Sequence, residues 1–96
     1  MTKTESYNDH LIESLKDPEA AALYLTVCLE DGDPEVFLLA LRDVADAQGG
    51  MRKLSEQTRL NRENLYRMLS KSGNPALSSL GPILSSLGLR LAVEVK

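Results

Sequence analysis

The chain is poor in the residues that would widen its chemistry. It has one cysteine, Cys28, so no internal disulfide can form and nothing points to an oxidising compartment. Cys28 falls on an apolar helical stripe and reads as a small core residue, not a nucleophile. It has one histidine, His10, with no second histidine or cysteine near enough to suggest a metal site. Aromatic side chains make up only 4% of the chain, which leaves a core of leucine, alanine and valine. The apolar stretches are broken by charges well short of a membrane span. The first ten residues, MTKTESYNDH, lack the apolar run of a secretory signal. There is no phosphate-binding glycine loop and no acid pair with supporting geometry. Asp31, Asp33 and Glu35 look like a calcium loop only superficially, because the required glycine and distal glutamate are missing. The expectation is a cytoplasmic protein that binds without catalysing and without a cofactor.

What is present is an uneven charge. Ninety-six residues suffice for one small core, so residues 1–96 are expected to form a single domain. The net charge of −3 conceals two halves. Residues 1–50 carry three basic and eleven acidic side chains, a net of −8. Residues 51–96 carry eight basic and three acidic ones, a net of +5. Such halves suit two surfaces with different partners, the basic one facing phosphates and the acidic one a basic protein. Simple solvation of both faces is the plainer alternative.

Residues 8–50 read as N-terminal helices. Residues 1–7 look frayed or extended, and 8–16 can form a short helix with Leu11, Ile12 and Leu15 inward. Asp17-Pro18-Glu19 is a helix start, with aspartate as N-cap, proline in the first turn and an acid near the positive helix end. The helix carries Ala21, Tyr24, Leu25 and Cys28 on one stripe and ends at Asp31-Gly32. Asp33-Pro34-Glu35 repeats the device. Phe37, Ala40, Leu41 and Val44 form the next stripe, widened by Val36 and Leu38, so this helix should be touched on two sides. It should run to about Gln48, before Gly49-Gly50.

Residues 51–70 read as a helix-turn-helix. Leu54 and Thr58 face inward from the first helix, Leu60 plugs the turn, and Leu65 and Met68 anchor the second. Ser55 is small enough for the two helices to approach. Asn61 is a good N-cap, which puts Arg62, Glu63 and Asn64 in the first turn of the second helix and Tyr66 and Arg67 in the next. Arginine can bind guanine in a bidentate manner and asparagine adenine. Arg62, Glu63 and Arg67 are thus placed for a major groove, with Asn61 and Asn64 beside them. Glu63 can accept from cytosine or orient Arg67 one turn on. Tyr66 and Lys71 suit phosphate or sugar, and Arg52, Lys53 and Arg59 flank the groove. Arg59 stands where such turns commonly take glycine for a positive φ, which costs a side chain about 1 kcal/mol or more.

Residues 72–75 are a loop, and the last helix, within 76–88, places Leu80, Ile83, Leu84 and Leu87 inward. Pro82 would cost roughly 3 kcal/mol inside a helix, so the regular helix is expected to start near Ser78 or Ser79 with a serine cap. Residues 89–96 change period from 3.6 to 2. Leu89, Leu91, Val93 and Val95 alternate with Arg90, Ala92, Glu94 and Lys96, the pattern of a half-buried strand. A lone strand needs a partner, either the N-terminal segment or, preferably, its copy in a second chain.

The stretch LSEQTRLNRENLYRMLSKSGNPALSSLGPILSSLGLRL resembles the Xre/Cro-type (lambda-repressor-like) domain. With LEDGDPEVFLLALRDVA and GGM upstream, residues 8–96 are similar to the addiction-module antidote family, related to HigA-type antitoxins. The resemblance implies an all-α fold with extra N-terminal helices, and a homodimeric repressor that binds the double-stranded operator of its own operon. It also implies an antitoxin that neutralises a small basic RelE/HigB-type toxin. Arg59 at the usual glycine and Gly81-Pro82 in the last helix depart from the pattern. A stand-alone phage-type repressor without a toxin, or a helical dimerisation module that ignores DNA, are the alternatives.

Overall fold

The structure, a computed structural model, describes the backbone of residues 3–96 and the side chains of residues 8–96. Six helices follow one another: α1 (Lys3–Ser14), α2 (Pro18–Glu30), α3 (Pro34–Ala47), α4 (Gly50–Thr58), α5 (Arg62–Met68) and α6 (Leu77–Ser86). The two Asp-Pro-Glu starts act as the sequence requires. Asp17 and Asp33 hold extended backbone and accept from the amides of Glu19 and Glu35 at 3.2 and 2.9 Å.

The broad apolar face of α3 is touched on more than one side, by α1, α2 and α4. Leu38, Ala40, Leu41, Val44, Ala45 and Ala47 are all buried there, while Val36 stays at the surface. From α4 the packing continues to α5 and α6. One core results, centred on Leu15, Leu41, Val44, Leu65, Leu69 and Ile83, each less than 2% exposed. Gln48, the residue that caps α3, donates its side-chain amide to the carbonyls of Leu15 and Lys16, tying α3 to the α1–α2 turn.

Three boundaries differ from the sequence reading. α1 reaches back to Lys3 and stops at Ser14; Met1 and Thr2 lie outside the described residues. Once Leu11, Ile12 and Leu15 fix its last turn on the core, extension toward the N-terminus adds one hydrogen bond per residue. Its end is set by Asp17, which must be extended before Pro18. α6 begins at Leu77 with Ala76 as an uncapped start, so Pro82 lies inside the helix. The carbonyl that Pro82 leaves without an amide is that of Ser78, on an exposed part of the helix where water can serve it. Burial of Ile83, Leu84 and Leu87 then fixes the helix on the core in spite of the proline.

The third difference is the C-terminal strand, which is absent. Among the described residues there is no strand, and residues 89–96 run without regular structure. Alternation of apolar and polar side chains reports a two-faced segment, but a strand needs a neighbouring ladder. Among the described residues no other segment provides one. Of the four residues expected at a dimer contact, Leu89 packs half-buried on the chain's own core, whereas Leu91, Val93 and Val95 are exposed, the last two completely. Gly88, at φ +78, closes α6 through paired turn hydrogen bonds: its own amide to Ser85 and that of Leu89 to Leu84.

Candidate nucleic-acid interface

The connection between α4 and α5 is held by side-chain hydroxyls. Arg59 ends α4 in the left-handed region at φ 62, the one non-glycine residue at positive φ among the described residues. Its amide returns to the Ser55 carbonyl at 2.8 Å. Thr58 accepts from the Leu60 amide at 3.2 Å while donating to the Leu54 carbonyl at 2.7 Å. Ser55 donates to the Leu60 carbonyl at 2.6 Å. The backbone of Leu60 is therefore gripped at both its polar groups, and its side chain packs half-buried on the core. Ser55 is more than a small spacer.

Asn61 then starts α5 with extended backbone, its side-chain oxygen accepting from the amides of Glu63 and Asn64 at 2.8 and 3.3 Å. Two leucines anchor the helix, Leu65 as expected and Leu69 in addition, both fully buried, with Met68 partly so. The end of α5 is shut by Gly73. A Cβ there would collide with the Met68 carbonyl, so the loop backbone packs directly on the last turn of the helix.

With its inner face fixed, α5 turns Arg62, Glu63, Asn64, Tyr66 and Arg67 to the surface. Arg52 and Lys53 on α4, Arg59 and Asn61 in the turn and Lys71 beyond α5 are exposed as well. All ten of these residues are thus accessible and lie on the stretch of chain from α4 to the loop after α5. Arg52 is partly neutralised by Glu56, 3.4 Å away one turn on. The stem of Lys53 lies over Gly49, where a Cβ would meet its Cδ at 2.5 Å.

Two contacts differ from expectation. Arg67 donates to the side-chain oxygen of Asn64, so Asn64 takes the orienting role that was one of two alternatives for Glu63. Arg42 of α3 stacks its guanidinium over the Tyr66 ring, 4.9 Å from the centroid. Arg42 was missed because the two residues are far apart in sequence and Arg42 sits among acids. No spacing rule connects them.

Among the described residues no cluster of histidine, cysteine and carboxylate could hold a metal ion. Cys28 is half-buried on α2, and desolvation, with Asp31 and Asp43 nearby, raises its thiol pKa and keeps it protonated. Among the described residues no helix is long and apolar enough to cross a membrane.

Fold and surface define a small helical protein that displays a polar, basic helix on a compact apolar core. The chain belongs to the family described as "Probable addiction module antidote protein", whose model matches residues 5–95. It is 33% identical over 92 residues to an uncharacterized protein of Haemophilus influenzae, an alignment that spans 95% of this chain and 94% of that one. No solved structure matches it.

Proposed function

We propose that this chain is the antidote of a toxin–antitoxin module, a cytoplasmic repressor that binds the operator of its own operon and neutralises a small RelE/HigB-type toxin. In this reading residues 51–70 are a helix-turn-helix of the Xre/Cro type, and the protein acts by binding, not by catalysis. The observation that carries it is the gripped turn at Arg59–Asn61, which presents Arg62, Glu63, Asn64 and Arg67 together at the open face of α5. Arginine and asparagine are the side chains that can read guanine and adenine edges, and the Arg67–Asn64 bond holds both in one arrangement. Lys71, Arg59 and Lys53 would meet phosphates. Two copies, joined through residues 89–96, would set their recognition helices about one DNA turn apart.

The test is a titration of the DNA upstream of the operon at fixed salt. Arg62→Ala and Arg67→Ala are each expected to cost about 1–3 kcal/mol of operator affinity and to relax base preference. Unchanged affinity in both variants would overturn this orientation of α5. Membership of the antidote family favours this reading over a stand-alone repressor, which would have no toxin to bind.

A further inference from the structure

Helix α2 is apolar nearly all the way round. From Ala20 to Leu29 it holds no charged residue, yet only Ala21 and Leu25 are buried against the core. Leu23, Val27 and Leu29 remain 67, 57 and 60% exposed, with Ala22 and Thr26 exposed between them. A helix that is hydrophobic on every face is normally covered on every face, and adjoining exposed aliphatics mark an interaction site. The C-terminal half of α2 is also bordered by two open grooves, both lined by Leu29 and Phe37. One, of about 280 Å³, lies toward Pro34, Pro75 and Leu80. The other, of about 340 Å³, lies toward Leu84 and the tail at Leu89 and Leu91.

The charges around this face choose its occupant. Asp17 and Glu19 stand at one end of α2, and Glu30, Asp31 and Asp33 at the other. Between Asp17 and Asp46 the one basic residue is Arg42, and it is stacked on Tyr66 of α5. A nucleic acid would be repelled. A second copy docking here about a two-fold axis would bring two acidic rims together. The surface instead fits a protein that offers apolar side chains ringed by lysine or arginine.

We propose that the exposed face of α2, with its two flanking grooves, is the docking surface for the toxin. This rests on the antidote reading and assigns it a place on the molecule, on the side of the chain that carries the acids and not on α5. Leu23 and Val27 form the apolar centre, Leu29 bridges to the grooves, and Glu30 and Asp31 steer the basic partner.

The experiment titrates the full-length chain with the purified protein encoded by the adjoining reading frame of the operon. Leu23→Asp and Val27→Asp should each weaken binding on the order of tenfold to a hundredfold. Operator affinity, thermal melting and sedimentation should stay as in the parent, because both side chains are already in water. The pair Glu30→Lys with Asp31→Lys should slow association and flatten its salt dependence more than it speeds dissociation. If the parent binds and all these variants bind equally well, the α2 surface is wrong while the antidote reading stands. If the parent itself does not bind, the antidote reading fails. A change of sedimentation in Leu23→Asp would make α2 a contact between copies and overturn the assignment to a toxin.

Discussion

The two halves of this chain are both helical, but they solve different problems. α2 and α3 are 13 and 14 residues long, start with the same Asp-Pro-Glu device and supply much of the apolar packing. α4 and α5 are 9 and 7 residues long and must leave a polar face open. Where apolar faces are broad, a cap and a proline suffice to define the helix, and packing does the rest. Short helices have less to bury, so their crossing is fixed by side-chain hydrogen bonds from Ser55, Thr58 and Asn61 to backbone groups. Both pairs share one core, and the shorter pair depends in addition on the hydrogen bonds of its turn.

The largest expected effect removes what the two halves share. Leu41 is fully buried on α3, the helix that joins α1 and α2 to α4. Leu41→Ala should cost about 2–5 kcal/mol of stability and lower the melting of both halves in one transition. Two separate transitions by circular dichroism would mean that the halves fold independently.

A smaller effect concerns the tail, residues 89–96, which lies outside both helix pairs. Were residues 89–96 to join two copies by lying antiparallel, one register would match every opposed charge, with Ala92 facing Ala92 of the second copy. Arg90 then opposes Glu94 of the second copy, and Glu94 opposes its Arg90, while Leu91 meets Val93 on the other face. Centring on Val93 would set Arg90 against Lys96, and centring on Glu94 would set like charges together. Cross-strand pairs contribute roughly 0.2–1 kcal/mol each. Arg90→Glu or Glu94→Arg alone should therefore weaken self-association several-fold. Mixing the two variants should restore it, because each then opposes its complement. Sedimentation of the mixture decides; mixtures as weak as the single variants would exclude this register.

These cases show what the sequence could and could not convey. Local chemistry was legible: Asp17, Asp33 and Asn61 cap helices where their side chains predict, and Gly88 closes α6. The exposure of Arg62, Glu63, Asn64 and Arg67 was legible too, because it follows from the burial of Leu65 on the opposite face of α5. Contacts between distant residues were not. Nothing at Arg42 announces Tyr66, and the hydroxyl of Ser55 reads in sequence only as small. The local cost of Pro82 points to a later helix start, whereas the burial of Ile83 and Leu84 one and two residues later decides the outcome. The tail failed for the opposite reason. Its alternating pattern is genuine, but pairing is a property of two segments, and the sequence of one segment does not supply the other.

Arg59 sharpens the contrast within the second half. A side chain in the left-handed region costs about 1–2 kcal/mol, and glycine relieves that strain while adding roughly 0.4–1 kcal/mol of unfolded-chain entropy. Arg59→Gly should therefore gain about 0.5–1 kcal/mol of stability, read from the urea midpoint. Under the proposed function the same change removes a cation beside the groove, so operator affinity should fall as stability rises. A parallel rise in both would remove Arg59 from the DNA-facing surface.

The smallest effect tests the junction between the halves. Asp46 lies near the C-terminal end of α3, and its carboxyl pKa is raised, first by desolvation and then by Asp43, against the lowering influence of Arg42. A carboxyl raised on folding binds more protons in the native state than in the unfolded one. Its contribution is therefore fully present below the unfolded-state value and is lost as pH rises through the folded one. Asp46→Asn should remove that loss and stabilise the protein at neutral pH, by less than about 0.5 kcal/mol because the group is largely solvated and screened. Below the ordinary carboxylate range the variant and parent should melt alike. Arg42 would then lose an acidic neighbour while keeping Tyr66, so the two halves should stay joined through the cation and ring. A variant less stable than the parent at neutral pH would mean instead that Asp46 holds Arg42 in place over that ring.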